Sequence, residues 1–572
     1  MATTPDPSPA DAPALTWDEA IAAVTSDPRF TLGEIELDGV TQTVFVNAPP
    51  TLRHLFGLWP PRGDDLFLVY EDERRTFAEV ADEVAALGAA LVGRYGVQRG
   101  DRVAIAMRNL PEWIISFAAI TSVGAVSVSL NGWWTEDELD FGLDDSGASV
   151  LIADVERIAR TRAVAARLGV ATVGVRLPAG DAVPDDVDRW EDVVVLGAEL
   201  PAVEVNPDDD ATILYTSGTT GRPKGAVSTH RAVMQSLMSF GCRAQVQRVR
   251  RPAEAAVAAE TPPVFILVVP LFHVTGSVAV MLSCALGGMP LVIMYKWDPE
   301  RALELIERER VTNFVGVPTQ SWDLMECPRF AEFDTSSLVS VGGGGAPAPP
   351  ALVARVDKGF RRGRPSIGYG MTETNAFGPQ NSGEDYVTHP TSTGRSLPTL
   401  LVEVRDPDEK ALPVGEQGEI WFKGPMVIRG YWNRPDATAE AIVDGWLRTG
   451  DVGRIDAEGF VYVEDRAKDL VLRAGENVSC AEVEAAVYEH PAVYEAAVFG
   501  VPHERLGEEV AVAVLPKAGV ALDAGELQAF VGQRIAAFKV PSKVIVVDQQ
   551  LPRNAAGKIL KRQLRDEVTA ET

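Results

Sequence analysis

The sequence YTSGTTGRPKG at residues 215–225 is the stretch that decides the fold and the chemistry of this chain. It follows a short apolar run, residues 211–215, that is typical of a strand. The small and hydroxyl residues that stand ahead of Lys224 are Thr216, Ser217, Gly218, Thr219 and Thr220. Glycines let the backbone approach a polyphosphate, hydroxyl and amide groups donate to its oxygens, and a lysine adds positive charge. We therefore predict a phosphate-binding loop at the end of a strand.

Strand-like and helix-like segments alternate on both sides of this loop. Residues 77–95 and 111–123 have helical spacing, and residues 101–107 between them form an apolar strand. Further strand candidates are residues 264–269, 291–294, 312–317 and 337–341. Such alternation is typical of parallel sheets covered by helices, with ligands bound beyond the carboxyl ends of the strands. The predicted fold class is α/β.

The sequence pattern changes after about residue 395, where glycines and short runs of alternating apolar and polar residues predict a β-rich subdomain over residues 395–465. Beyond it, helical patterns at residues 480–489 and 524–536 enclose two strand patterns, 496–500 and 510–516. The chain is thus predicted to divide into four parts: a disordered lead-in at residues 1–15, a large domain at 16–465, a hinge at 466–468 and a small α+β domain at 469–572.

Composition excludes several classes of partner and site. The 53 basic and 81 acidic residues give a net charge of −28, which disfavours nucleic acid and anionic lipid as bulk partners. Four cysteines and six histidines without ligand spacing argue against structural zinc. The apolar residues 277–294 are interrupted by Gly287, Gly288 and Pro290, so we expect a buried helix, a turn and a buried strand rather than a membrane span. The expected location is the cytoplasm.

The phosphate loop and further segments, in the same order, resemble the motifs of the adenylate-forming superfamily, which includes acyl-CoA synthetases, luciferases and peptide-synthetase adenylation domains. The other segments are VGGGGAPAPP at 341–350, YGMTET at 369–374, GWLRTGD at 445–451, Arg466 with Lys468, and PRNAAGKILKR at 552–562. The resemblance spans roughly residues 77–562 and points to the branch of fatty-acid–CoA and 4-coumarate–CoA ligases. It implies a large N-terminal domain and a mobile C-terminal lid domain.

The resemblance also implies an ATP site and its catalytic residues. Adenine and ribose would be held by Gly345, Ala346, Pro347, Tyr369, Gly370, Met371, Asp451 and Arg466. Thr372 would donate to the α-phosphate, and Glu373 with Thr219 would bind Mg²⁺, which prefers hard oxygen ligands. Lys558 would bridge the attacking carboxylate and the α-phosphate as charge builds. His273 would lie beside the acyl pocket.

A second half-reaction with CoA is implied in the same way. The small domain would rotate about Lys468 and replace Lys558 by the loop RAGENVS at residues 473–479, with CoA near Gly475, Glu476 and Asn477. Ala474 stands where most relatives have glycine, which puts the path of this loop in doubt. Cys480 is predicted to be a packed residue, since the reacting thiol belongs to CoA.

The acid is expected to enter a pocket of small or apolar residues. They are His273, Val274, Ser277, Gly316, Thr319 and Gly343, and no lysine or arginine is among them. A monocarboxylic acid with an apolar tail or ring follows, either a medium- to long-chain fatty acid or an aryl or alicyclic acid. His273 stands where amino-acid-activating relatives carry aspartate, which disfavours an α-amino acid substrate.

Other functions remain open at this stage. An acyl-AMP ligase that loads a carrier protein is one, although no carrier-domain serine motif is fused to the chain. A luciferase-like oxygenase shares the fold, but the chain ends AET without a peroxisomal S-K-L address. A non-catalytic binding module fits worst, because Lys558, Glu373 and Asp451 are all present. A homodimer also stays open.

Overall fold

The computed structural model describes residues 15–178, 185–216, 223–346, 348–466, 470–473, 476–503, 505–554 and 557–570. The strands are, in chain order, β1 (Leu32–Leu37), β2 (Val40–Phe45), β3 (Leu66–Tyr70), β4 (Glu73–Thr76), β5 (Arg102–Ala106), β6 (Val126–Ser129), β7 (Val150–Asp154), β8 (Ala171–Val175), β9 (Val187–Arg189), β10 (Asp210–Thr216), β11 (Lys224–Thr229), β12 (Phe265–Leu267), β13 (Leu291–Ile293), β14 (Asn313–Gly316), β15 (Ser340–Gly344), β16 (Arg364–Gly368), β17 (Gln380–Ser382), β18 (Leu401–Arg405), β19 (Gly418–Lys423), β20 (Gly430–Tyr431), β21 (Ile442–Val443), β22 (Trp446–Ile455), β23 (Val461–Arg466), β24 (Val471–Arg473), β25 (Glu476–Val478), β26 (Val493–His503), β27 (Gly507–Pro516) and β28 (Lys543–Val546).

The α-helices are α1 (Trp17–Thr25), α2 (Leu52–Phe56), α3 (Phe77–Gly93), α4 (Pro111–Ser122), α5 (Glu136–Ser146), α6 (Val155–Leu168), α7 (Trp190–Val193), α8 (His230–Arg250), α9 (Pro252–Ala259), α10 (Ser283–Gly287), α11 (Pro299–Glu309), α12 (Pro318–Glu326), α13 (Pro350–Gly359), α14 (Gly383–Thr388), α15 (Pro435–Ala441), α16 (Cys480–Tyr488), α17 (Ala524–Gly532) and α18 (Lys561–Ala570). A π-helix covers Thr275–Leu282. Short 3₁₀ turns occur at Pro28–Phe30, Pro60–Arg62, Phe330–Glu332, Thr372–Thr374 and Ala537–Lys539.

Two large, mostly parallel sheets form the first part of the molecule, in strand orders β20-β11-β10-β6-β5-β7-β8-β9 and β17-β16-β15-β14-β12-β13-β3-β4. Antiparallel strands occur towards the edges, where β11 pairs with β10 and β17 with β16. Parallel strands need long crossover connections, and helices supply them. Helix α3 begins with a capping box. Thr76 Oγ1 accepts from the Glu79 N–H, and the Glu79 side chain accepts from the Thr76 N–H.

Helix α4 joins the two sheets into one core. All of its residues are buried, including Trp113 and Ile114. The same apolar cluster contains Ile105 of β5 and Phe314 of β14, which lie in different sheets. Most residues of this helix are apolar, so the sequence already predicted a buried helix.

A third large sheet, β18-β19-β22-β21 with β23 beside β22, covers residues 401–466 and corresponds closely to the predicted β-rich subdomain. Its inner residues, among them Ile420, Phe422 and Leu447, pack with Met238 of α8 and Ala20 of α1. The sequence analysis missed α1, which starts two residues after the described part of the chain begins.

The last sheet, β25-β24-β27-β26 with β28 beside β27, is drawn from residues 471–546. Its two faces alternate along the strands as a pleated sheet requires. Val498 packs on one face, whereas Phe499 packs on the other against Leu564 of α18. The domain boundary itself stays a prediction, since residues 467–469 lie outside the described residues.

Several predicted elements need correction. The helix predicted at residues 524–536 ends at Gly532 and is followed by a 3₁₀ turn at Ala537–Lys539. Residues 277–294 do fold as the expected helix, turn and buried strand, but the first part of the helix is π-helical, before α10, a turn with Gly288 at φ +66° and β13. Among the described helices, none is both long and apolar enough to cross a bilayer.

Candidate active site

The predicted phosphate loop connects the antiparallel strands β10 and β11, which form a hairpin. Strands β10 and β11 are in register with Thr216 opposite Lys224, and the Thr216 hydroxyl donates to the Lys224 carbonyl over 3.3 Å. Ser217, Gly218, Thr219 and Thr220 fall outside the described residues. Their role in phosphate binding therefore stays a prediction, on a hairpin whose base is fixed.

Asp145 fixes that base, a residue that the sequence analysis did not select. Its Oδ2 accepts from the Tyr215 hydroxyl over 2.8 Å, and its Oδ1 accepts from the Arg434 guanidinium over 2.7 Å. The Asp145 carbonyl accepts from the Trp432 indole N–H over 3.0 Å. Burial, with the adjacent Asp145 carboxylate, holds the pKa of Tyr215 well above its usual value, so its hydroxyl stays a donor.

The residues predicted to hold adenine and ribose meet at one edge of the second sheet. Parallel strands β15 and β16 align Gly344 with Gly368, so the turn at Gly345 and Ala346 and the segment from Tyr369 through Gly370 to Met371 follow side by side. Pro347 lies outside the described residues. The Tyr369 hydroxyl donates to Oδ2 of Asp451 over 2.6 Å, although the two residues come from different sheets. Arg466 is opposite Asp451 on β23.

Glu373 lies nearby in the 3₁₀ turn that begins at Thr372, and it is buried. Its Oε1 accepts a hydrogen bond from the Tyr431 hydroxyl over 2.7 Å. The Lys224 ammonium lies over the Tyr431 ring, 5.2 Å from the ring centre. Tyr431 thus connects the proposed metal ligand to the phosphate hairpin. No spacing in the sequence could have revealed it, because Tyr431 lies 58 residues beyond Glu373.

His273 lies on the turn that leads into the π-helix. The Ser277 hydroxyl donates to the His273 carbonyl over 3.0 Å, and Val274 and Ser277 are buried. Gly276 allows this turn, since a Cβ there would lie 2.2 Å from the Pro270 carbonyl oxygen. π-helical turns often mark functional sites. Burial, and then the positive charge of Lys558, lower the pKa of His273 to about 4, so its imidazole is neutral near pH 7.

The Lys558 loop reaches this region from the C-terminal part of the chain. The Asn554 side chain accepts from the Lys558 N–H over 3.0 Å, and Arg553 donates to the Gly557 carbonyl over 2.7 Å. Arg553 also donates to Thr319 Oγ1 over 3.2 Å. The expected pocket segments contain no arginine, yet this guanidinium arrives at Thr319 from another element. Its charge is paired with the buried Glu495 over 2.8 Å.

In the predicted acyl pocket, two neighbouring strands approach each other so closely that one position has room only for glycine. Gly316 of β14 is in register with Gly343 of β15, and a Cβ on Gly343 would lie 1.6 Å from the Gly316 carbonyl oxygen. Next to Gly343 is a small cavity of about 20 Å³, lined mainly by apolar residues such as Val353 and Ile367. Tyr386 also lines this cavity, and its buried hydroxyl has no hydrogen-bond partner among the described residues.

The segment predicted to meet CoA is a second hairpin. Glu476 and Asn477 belong to β25, which pairs with β24, while Gly475 and the predicted hinge residue Lys468 lie outside the described residues. Cys480 is buried, in agreement with its predicted packing role, and its N–H donates to Oδ2 of Asp465 over 2.5 Å. The CoA and hinge assignments stay predictions.

A strand edge that gathers Tyr369, Glu373 and Asp451, with a lysine loop entering from a small C-terminal sheet, defines the architecture of adenylate-forming enzymes. Comparison with known proteins agrees. The family model "AMP-binding enzyme" matches residues 60–432, and "AMP-binding enzyme C-terminal domain" matches residues 482–558. The chain therefore belongs to the AMP-binding enzyme family, and the predicted superfamily and α/β fold class are confirmed.

Similar proteins are named acid–CoA ligases. A feruloyl-CoA synthase of an Amycolatopsis species is 38% identical over 494 residues, which cover 86% of this chain and 93% of that protein. A long-chain-fatty-acid–CoA ligase of Bacillus subtilis is 33% identical over 88% of this chain and 92% of its own length. The ATP-bound structure of MatB from Rhodopseudomonas palustris has a TM-score of 0.77 and 31% identity, covering 91% of this chain and 99% of that one. The predicted enzyme class, an acid–thiol ligase that forms AMP, agrees with these relatives.

Proposed function

We propose that this enzyme is an ATP- and Mg²⁺-dependent carboxylic acid–CoA ligase for monocarboxylic acids with an apolar tail or ring. Three observations carry the proposal: the Tyr369–Asp451 pair, the buried Glu373 in the turn that follows Tyr369, and the closeness of Lys558 to His273. Each supplies one requirement of acyl-adenylate chemistry, and they come from distant parts of the chain.

The first half-reaction joins two anions. A carboxylate oxygen of the acid attacks the α-phosphorus of ATP, the bond to the β-phosphate breaks, and pyrophosphate leaves. Lys558 offsets the charge that builds between the two reactants, an electrostatic contribution that can reach several kcal/mol in a water-poor site. His273 is neutral and does not add a second positive charge. Its uncharged ring can therefore lie beside the apolar part of the acid.

Glu373 is a suitable residue to hold magnesium. Mg²⁺ is commonly bound through one or two carboxylates and the phosphates of the substrate, and Glu373 supplies such a carboxylate at the strand edge. The Tyr431 hydrogen bond orients that carboxylate from one side. The bound ion would neutralise phosphate charge during the displacement. Thr219 remains its predicted companion.

The second half-reaction uses CoA. The thiol sulfur attacks the acyl carbonyl, the carbon–oxygen bond to AMP breaks, AMP leaves with the bonding electrons, and the thiol proton passes to solvent. We propose that the β24–β25 hairpin, with Gly475, Glu476 and Asn477, reaches the site after rotation about Lys468. Support comes from the relatives, which are named for CoA thioester formation.

The acid itself is proposed only by class. The predicted pocket residues, among them Val274 and Gly343, are small or apolar and include no lysine or arginine, which favours an aliphatic tail or a ring over a second carboxylate. The two relatives described above act on an aryl acid and on long-chain fatty acids, so both remain within the proposal. We further propose a cytoplasmic enzyme, and a homodimer stays a prediction.

The test is acid-dependent release of AMP, with and without CoA, over a panel of cinnamic acids, fatty acids of graded length, dicarboxylic acids and amino acids. Thioester formation with apolar monocarboxylates, and little with the other two groups, is expected. ATP–pyrophosphate exchange without any CoA thioester would contradict the ligase and favour transfer to a carrier protein. Preference for dicarboxylic acids would contradict the proposed acid class.

A further inference from the structure

One face of α12 is in contact with the C-terminal part of the molecule. Thr319 and Asp323 lie four residues apart on this helix and therefore share a face. Thr319 accepts from Arg553 over 3.2 Å, and Oδ1 of Asp323 accepts from the Tyr494 hydroxyl over 2.6 Å. The two donors come from β26 and from the loop that carries Lys558. Two separate segments of the small domain thus reach the same helical face.

A hydrogen bond within the large domain orients the Asp323 carboxylate for this contact. The Trp297 indole N–H donates to Oδ2 of Asp323 over 2.9 Å, which leaves Oδ1 directed at Tyr494. Burial and the Asp323 carboxylate hold the pKa of Tyr494 well above its usual value, so the tyrosine hydroxyl remains a donor throughout the physiological range. A hydrogen bond to a charged acceptor is among the stronger kinds in proteins.

The residue next to Tyr494 organises the Lys558 loop. Glu495 is buried, its Oε1 accepts from Arg553 over 2.8 Å, and its Oε2 accepts from the Leu551 N–H over 3.1 Å. The β26–β27 pairing shifts register between Val493 and Glu495, at Tyr494. Tyr494 contacts α12 and Glu495 contacts the loop, so the start of one strand links the domain contact to the position of Lys558.

We infer that Tyr494 and Asp323 are positioning residues that hold Lys558 at the adenylation site. The inference rests on the proposed function and on its two half-reactions. Tyr494 and Lys558 belong to the same small domain, so a rotation that withdraws Lys558 must also break the Tyr494–Asp323 bond. Removing the bond weakens the adenylating arrangement and leaves the thioester-forming arrangement intact.

The experiment compares Tyr494→Phe with Tyr488→Phe in the full-length enzyme. Tyr488 is a matched control, since its hydroxyl exchanges hydrogen bonds with the backbone of Ala496 inside the same domain. Adenylation is measured by pyrophosphate release without CoA, and thioester formation is measured from a supplied acyl-adenylate. For Tyr494→Phe we expect kcat of adenylation to fall about three- to tenfold, the loss of one net hydrogen bond, with the KM for ATP little changed. Thioester formation should be unchanged or faster.

A second variant tests the partner. Asp323→Asn weakens the same contact, so its effect on adenylation and that of Tyr494→Phe should be less than additive in the double variant. Equal losses in both half-reactions, or a Tyr494→Phe enzyme that behaves like Tyr488→Phe, would overturn the inference while the proposed function stands. A wild-type enzyme that forms no acyl-adenylate with any acid would overturn the proposed function, and the inference with it.

Discussion

The hydroxyl of Tyr431 donates a 2.7 Å hydrogen bond to Oε1 of Glu373, the carboxylate that we propose binds magnesium. Tyr431 ends β20, which pairs with β11, and the first residue of β11 is Lys224. The Lys224 ammonium lies 5.2 Å from the centre of the Tyr431 ring. One aromatic side chain therefore contacts both the base of the phosphate hairpin and the proposed metal ligand, which lies in a 3₁₀ turn after β16.

Replacing Tyr431 with Phe should weaken magnesium binding. The carboxylate of Glu373 would lose the donor that fixes its orientation, and partners of this kind typically change metal affinity by about 10- to 100-fold. Pyrophosphate exchange measured against Mg²⁺ concentration should show a higher half-saturation, and Mn²⁺ binding to the ATP complex should weaken in parallel. Tyr462→Phe, which removes a hydroxyl bonded to Asp456, is the control. An unchanged metal dependence would contradict the positioning role of Tyr431.

Replacing Lys558 with Ala should separate the two half-reactions. Adenylation should fall by at least about 100-fold, the usual loss when a single group that stabilises the transition state is removed. Thioester formation from supplied acyl-adenylate should continue, because Lys558 is then withdrawn. Lys539→Ala removes a lysine of the same domain that pairs with Glu482 and serves as the control. Similar losses in both half-reactions would refute this division of labour.

Replacing Gly343 with Ala should destabilise the large domain. The new Cβ would meet the Gly316 carbonyl oxygen at 1.6 Å, and a backbone atom between two strands cannot move aside. A loss of about 1–3 kcal/mol is typical of such overpacking. Gly93→Ala is the matched control, since its Cβ would meet nothing within 4 Å and alanine suits a helix better. Thermal unfolding monitored by fluorescence would decide, and equal midpoints for the two variants would disprove the steric argument.

His230 should make the enzyme sensitive to acid. It is buried, its Nδ1 accepts from the Leu52 N–H over 3.2 Å, and burial lowers its pKa to about 4. The unfolded chain therefore takes up a proton as pH falls below about 6.5, before the folded protein does, so this contribution to stability is present above pH 6.5 and is lost towards pH 4. Between pH 7 and 4.5 the loss is about 2 kcal/mol.

The measurement for this prediction is urea unfolding of the wild type and of His230→Gln at pH 7, 5.5 and 4.5. Gln can still accept from Leu52 but does not titrate, so the variant should lose less stability on acidification. The wild type and the variant share every other titrating group. Parallel pH dependences would therefore show that His230 is not the cause.

The sequence by itself determined the chemistry and the order of the parts. Lys224, Glu373, Asp451 and Lys558 could be selected because short motifs carry residue types that ATP chemistry requires, and the buried helix α4 because most of its residues are apolar. The helix at Ala524–Gly532 was placed but its end was not, since a helix end depends on how the next segment packs.

Only the tertiary structure decided which residues support these groups. The hydrogen bonds of Tyr431 with Glu373, of Tyr215 with Asp145 and of Tyr494 with Asp323 join residues that are 58, 70 and 171 positions apart. Local sequence rules act over a helical turn or a strand pair, whereas these contacts depend on how separate sheets and the small domain pack together. The positions of the supporting residues follow from that packing, and no sequence motif predicts them.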